Sequence, residues 1–253
     1  MRNINMRTSI PAAKSARRVG PWLAVFSLLL QFVHAQSSSP KTPSPQSGAD
    51  LEQVLNQMDE ASARFRTTQA SFTWIQYNKV IDDIADTQKG KVYFRRAAGK
   101  DIQMAADLSE PDSKQLVFSE GKIQIYQPRI DQEDIYEAKA HREEFESFLV
   151  VGFGGGGHDM QKSFAVTFLG NEKIGDTETA KLDLVPKSAE VKRNFSHIVL
   201  WIDPQRGISV QQQLFETSGD YRLAKYSDIQ VNQKISDSVF KLKTLSQTKV
   251  VSH

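Results

Sequence analysis

Apolar and polar residues alternate through most of the chain beyond residue 65. Ile102, Met104, Ala106 and Leu108 stand at every second position, as do Phe164, Val166 and Phe168, and then Ala180, Leu182 and Leu184. A period of two puts alternate side chains on one face of an extended segment, so each run predicts a strand with one apolar face. Phe72 and Trp74, Val92 and Phe94, Leu116 and Phe118, Ile123 and Ile125, and Tyr221, Leu223, Ile229 and Val231 continue the pattern, for about ten strands in all. Residues 195–243 read as a three-stranded meander. Asp203-Pro-Gln-Arg-Gly207 and Thr217-Ser-Gly-Asp220 interrupt its apolar runs, and Pro and Gly there supply the backbone angles of reversing turns. Asn232, Ile235, Asp237 and Phe240 form a tail behind it.

Two segments change period. Residues 51–65 carry Leu51, Val54, Leu55, Met58 and Phe65 near helical spacing, and residues 138–151 carry Phe145, Phe148 and Leu149 with His141 and acids opposite. Both predict amphipathic helices. Ten antiparallel strands in one sheet curl strongly and need their concave apolar face covered. The fold class that follows is mainly β with α: a strongly curved antiparallel sheet forming a half-open β barrel, covered by amphipathic helices. Such a barrel encloses either a packed core or an apolar cavity, and periodicity alone does not separate the two. If there is a cavity, the aligned faces put Phe72, Trp74, Phe94, Met104, Phe118, Ile125, Trp201 and Phe215 in its lining.

The start of the chain reads as an address. Residues 1–35 hold Arg2, Arg7, Lys14, Arg17 and Arg18 and no acid, then an apolar run from Trp22 to Val33 that is too short to span a bilayer, then Val33, His34 and Ala35 with small residues where a signal peptidase reads. A cleaved secretory signal with the mature chain beginning near Gln36 is expected; an uncleaved anchor is the alternative. The leader also accounts for the charge. The chain has 32 basic and 30 acidic residues, and removing the leader's five basic ones leaves 27 against 30, a net of −3. No basic face for nucleic acid is indicated. Residues 36–48, rich in Ser and Pro, read as a disordered tether, residues 49–243 as one domain, and 244–253 as a C-terminal tail. There is no cysteine, hence no disulfide, thiolate ligand or lipidated Cys.

Catalytic chemistry finds little support. No two histidines stand at metal-binding spacing, and no Gly-x-Ser-x-Gly occurs. The segment Gly152-Phe-Gly-Gly-Gly-Gly157-His158 lacks the Lys-Ser/Thr of a phosphate loop. Its glycines suit a hinge after the second helix, with Gly154, Gly155, Gly156 and Gly157 as the hinge residues.

In order along the chain, several short motifs resemble the LolA family, periplasmic carriers of outer-membrane lipoproteins. Ala70-Ser71-Phe72-Thr73 is similar to the family's first-strand signature, and Gly90-Lys-Val-Tyr-Phe-Arg-Arg96 to its glycine-led strand ending in a basic pair. Glu110-Pro111, Val117-Phe-Ser-Glu-Gly121-Lys122 with Ile125-Tyr126, the polar loop Asp131-Gln132-Glu133, Leu184-Val-Pro186-Lys187, and the closing meander with Asn232 and Phe240 follow in sequence. The resemblance covers roughly residues 50–243. It implies a non-enzymatic, monomeric periplasmic chaperone without cofactor. Such a protein takes acylated lipoprotein from an inner-membrane ABC transporter, shelters the acyl chains in its cavity and delivers them to an outer-membrane acceptor. It also implies a lid latch, an Arg at the end of the second strand that bonds helix or loop backbone. Family members follow this Arg with Pro; here Arg96 is followed by Ala97, and either Arg95 or Arg96 fits. The rival function is an envelope sensor that binds lipid or lipopeptide on the same fold. Such relatives carry a further domain, whereas this chain runs only about ten residues past Phe240.

Overall fold

The structure is a computed structural model and describes residues 45–97, 102–137 and 151–253. The leader, most of the tether and the expected helix over 138–151, except Val151, lie outside the described residues. Twelve strands form one curved, unclosed sheet: β1 Thr67–Asn78, β2 Asp83–Arg96, β3 Ile102–Glu110, β4 Lys114–Ser119, β5 Lys122–Gln127, β6 Gln132–Glu137, β7 Phe164–Ile174, β8 Thr177–Pro186, β9 Phe195–Asp203, β10 Ile208–Glu216, β11 Tyr221–Val231 and β12 Lys249–Ser252. Their order across the sheet is β12-β6-β5-β4-β3-β2-β1-β11-β10-β9-β8-β7. All neighbours are antiparallel except β12, which pairs parallel to β6. The meander forms as expected, with β9, β10 and β11 joined by turns in which Gly207 and Gly219 take φ of 65° and 91°, a region closed to most side chains.

Helix α1, Pro45–Arg64, precedes the sheet. It begins inside the stretch expected to be tether, and proline suits a first turn, where its missing N–H has no intrahelical acceptor to lose. Two short helices not foreseen from periodicity, α2 Gly157–Ser163 and α3 Ala189–Asn194, precede β7 and β9. Each is too short to show a 3.6-residue period.

The concave face is filled unevenly. Val54, Leu55 and Met58 of α1 pack with Leu182, Leu184, Ile198, Leu200, Ile202 and Leu214, and α2 adds Met160. Leu55, Leu182, Leu184, Leu200 and Ile202 are fully buried. That is the core over β8 to β10. Over β1 to β4 a second cluster gathers Phe65, Ala70, Val92, Phe94, Ala106, Phe153 and Ile208, and there the packing is incomplete.

The tail fastens the outside. Asn232 accepts N–H bonds from Arg66 and Thr67 at 2.8 and 3.3 Å and donates to Arg64 O at 3.1 Å, so one side chain ties down the turn between α1 and β1. Phe240 and Ile235 pack on Tyr93, Ala105 and Val117 on the convex face.

Candidate functional site

The incomplete packing leaves an apolar cavity of about 280 Å³, lined by Phe72 and Trp74 of β1, Gln88, Val92 and Phe94 of β2, Met104, Ala106 and Leu108 of β3, Leu116 of β4, Gln212 and Leu214 of β10, Tyr226 of β11, and Phe153. It exists because α1 lies over the other half of the concave face. Period two aims these strand residues inward, and the registers that place Phe72 opposite both Gly90 and Tyr226, and Phe94 opposite Met104, bring them to one patch.

Four of the eight expected lining residues, Phe72, Trp74, Phe94 and Met104, are thus brought together. Phe118 stands opposite Met104 and Ile125 opposite Leu116, on the same face but beyond the cavity wall; Phe118 is fully buried. Trp201 and Phe215 were placed on the wrong face. Trp201 packs with Val199 and Val210 on the other side of the sheet, with Phe215 and Ile174 against them, while Ile198, Leu200, Ile202 and Leu214 point inward. The physical reason is that β9 is apolar at every position from Ile198 to Ile202. A strand buried on both faces loses the alternation that would tell in from out.

Nine of the thirteen lining residues were not among the expected eight, and three of these supply the site's hydrogen bonds and ring contacts. Tyr226 and Gln212 lie on the inward parity of their strands, and Tyr226 Oη donates to Gln212 Oε1 at 3.3 Å while Gln212 Nε2 donates to Val151 O at 2.7 Å. Burial pushes the Tyr226 hydroxyl well above its ordinary value, so it stays a neutral donor. Phe153 is the third. Its ring stacks on Phe94 at 4.3 Å and meets Tyr226 edge-on at 4.8 Å, closing one end of the cavity with 1% of its surface exposed. The available signal was that it is the one aromatic within the Gly152–Gly157 run.

That run forms a strap across the end of the sheet. Ser209 N donates to Gly152 O at 2.6 Å and Gly154 N to Gly207 O at 3.4 Å, pairing the strap with β10 through a bridge between Phe153 and Ile208. Gly154, with φ of 78°, lies so close under Phe65 that a Cβ would fall 2.4 Å from the ring, and a Cβ on Gly157 would fall 2.5 Å from Leu55 O. Of the glycines expected as a hinge, Gly154, Gly156 and Gly157 are thus points of close approach, buried against α1 and Phe65, with Gly155 partly exposed between them.

Arg96 closes the arrangement. It shares the inward face of β2 with Val92 and Phe94, and its Nη2 donates to Gly154 O at 3.0 Å, to Ser62 Oγ at 3.3 Å and, weakly, to Ser62 O at 3.5 Å. Ser62 Oγ also donates to Gly154 O at 2.8 Å. One guanidinium thus joins strand, helix and strap beside Phe65, whose ring lies 5.8 Å from it. Arg95 points the other way. It bonds Gln103 at 2.7 and 3.1 Å and Asp237, and lies 4.2 Å over the Phe240 ring.

An apolar hollow in a half-open barrel, covered at one end by a side-chain-locked strap, defines a class of fold suited to enclosing hydrophobic ligands. Residues 63–243, which are 181 of the 253, match the family described as outer membrane lipoprotein carrier protein LolA, and the chain belongs to that family. Comparison with curated proteins finds no match. Among solved structures the chain is similar to MucB, with 12% identity over 77% of this chain and 63% of that one and a TM-score of 0.50. It is similar also to an uncharacterised conserved protein from Thermus thermophilus, with 10% identity over 81% of this chain and 99% of that one and a TM-score of 0.51. The chain spans less than two thirds of MucB. At these identities the likeness is one of fold.

Proposed function

We propose that this protein is an envelope carrier that binds the acyl chains of lipoproteins in the cavity between β1–β4 and β10–β11, ferries them across the periplasm and yields them to an outer-membrane acceptor. It acts by binding rather than by catalysis, receiving cargo from an inner-membrane transporter. The observation that supports it is the pairing of an unfilled apolar cavity with the Arg96 bond to Gly154 O over its end. An unfilled cavity in a protein interior is a loss of contacts that packing normally avoids, and a ligand restores them. Burial from water favours an acyl chain by about 0.8 kcal/mol per methylene, so such chains need shelter in an aqueous compartment. The strap sets the opposing term. Entry of a chain displaces Phe153 from Phe94 and strains the Arg96 bonds, which keeps affinity low enough for hand-over.

The test is photo-crosslinking in cells. Benzophenone side chains at Phe72 and Trp74 are expected to capture acylated lipoprotein, and one at exposed Lys241 to capture none. Equal labelling at the three positions would remove the cavity from the proposal. Capture of free lipid without lipoprotein would turn it towards the lipid-sensing alternative.

A further inference from the structure

The junction of strap and α2 carries a histidine for which acyl binding has no use. His158, the second residue of α2, turns its ring onto α1. Nδ1 is in short contact with Asp59 Oδ2, Nε2 lies 2.9 Å from Glu52 Oε1, and the backbone N–H donates to Asp59 Oδ1 at 3.2 Å. Glu52 and Asp59 are seven residues apart, two turns along one face of the helix, and the imidazole bridges them. Gly156 makes the approach possible, since a Cβ there would fall 2.8 Å from Asp59 Oδ1.

The bridge has a chemical requirement. Neutral imidazole carries one N–H and one lone pair, so it donates to one carboxylate and turns its lone pair on the other; only imidazolium donates to both. The groups facing the ring are acidic and come from α1. On α2 itself, Asp159 is held by Lys162 at 2.6 Å, and β7, which packs against both helices, brings Phe164, Val166 and Phe168 to the shared core.

We propose that His158 is a pH-sensitive anchor of the strap: as imidazolium it ties the C-terminal end of the Gly152–Gly157 run to both Glu52 and Asp59, and on losing its proton it lets Glu52 go and loosens the cover of the cavity. The inference rests on the strap being that cover. Hydrogen bonds to Asp59 and then to Glu52 raise the pKa of the ring against a smaller opposing cost of desolvation. A raised histidine value means that the anchor is at full strength below the ordinary value near 6.5 and is lost as pH rises through the shifted one. The strap is therefore tightest in mild acid and loosest in alkali, and because all three side chains are partly exposed the effect weakens with salt.

Two measurements on the full chain, with no lipid present, test it. Long-range proton–nitrogen correlation reports the His158 ring, and hydrogen exchange corrected for its intrinsic pH dependence reports protection of Gly152–Gly157, both from about pH 5 to about pH 9. The ring is expected to titrate above the ordinary value with both nitrogens protonated beforehand. Strap protection should fall in step by about two- to fivefold, the range that the strength of a solvated ion pair converts to. His158→Gln should abolish the pH dependence. Should that variant fail to fold, exposed Glu52→Gln carries the test and should lower the ring's titration and shrink the response. A ring that titrates at or below the ordinary value, protection flat through its titration, a pH response that survives His158→Gln, or one undiminished by Glu52→Gln would overturn the anchor. Since no lipid enters these measurements, such a failure leaves the carrier reading standing. A failed crosslinking result beside an intact pH response condemns the carrier reading alone.

Discussion

Arg95 and Arg96 are neighbours in sequence with opposite work. The pleat of β2 turns Arg95 outward to Gln103 and Asp237 and Arg96 inward to Gly154 and Ser62. Of the two candidates for a latch, only Arg96 can reach the strap. Its Nε is buried and meets no acceptor among the described residues, a condition that opposes the hold and is relieved when the side chain swings into water. Charge-assisted bonds to backbone carbonyls contribute about 1.5–3 kcal/mol net. Replacing Arg96 by Leu is expected to shift the closed–open balance on the order of ten- to hundredfold towards open. The variant should still take up a fluorescent acyl probe and should release it to acceptor vesicles more slowly, because lid closure no longer opposes burial. Arg95→Leu should release it at the normal rate. Wild-type release by the Arg96 variant, or a defect reproduced by the Arg95 variant alone, would refute the latch.

At the scale of elements, α1 divides the sheet into a filled half and a hollow one, and the halves should answer truncation differently. Leu55 is fully buried in the filled half, so Leu55→Ala is expected to lower stability by about 2–5 kcal/mol in urea unfolding, with the slope unchanged. Phe72 borders space that is already empty. Its truncation should cost less than the roughly 3–5 kcal/mol usual for a packed Phe, and a full-sized loss would mean the cavity is closed up in solution. The edge strand β12 gives a third test. His253 Nε2 donates to Asp134 Oδ1 at 3.1 Å and its ring stacks on Tyr136 at 4.4 Å. The bond from His253, chiefly, holds the Asp134 carboxyl below its ordinary value, against the cost of desolvation. A depressed carboxyl stabilises above its unfolded value and ceases to do so as pH falls through the folded one. Amide exchange at Val250 and Val251 should therefore accelerate below about pH 4, ahead of the central strands. Protection that persists to global acid unfolding would show that this pair does not hold β12.

For the whole molecule the decisive property is that part of the apolar interior is a cavity rather than packed core. A ligand that binds only the folded state stabilises it by about 2.7 kcal/mol at a hundred times its dissociation constant. Thermal unfolding with a long-chain acyl probe is expected to rise accordingly in the wild type and to rise less in Leu108→Trp, which narrows the cavity. A rise undiminished by the narrowing would place the lipid elsewhere. No helix among the described residues is long and apolar enough to cross a membrane.

The chain's own pattern determined a good deal. Alternation at Ile102 to Leu108 or Phe164 to Phe168 reports a half-buried strand because a residue's face depends only on its neighbours in sequence. The turns at Gly207 and Gly219 are equally local, since positive φ is a property of one residue. Parity also sufficed for Phe72, Trp74, Phe94 and Met104; it failed for Trp201, whose strand is apolar on both faces, and for Phe215, which directly follows the inward Leu214 on β10. What only the tertiary structure decided are contacts between segments far apart in the chain. Which half of the sheet α1 fills, that Asn232 locks the turn at Arg66, that Gly156 and Gly157 admit a backbone close against α1, and that Phe153 closes the cavity all depend on distances between distant residues. Local periodicity carries no information about such distances, and they, rather than the greasiness of any one strand, determine whether an apolar face becomes core or cavity.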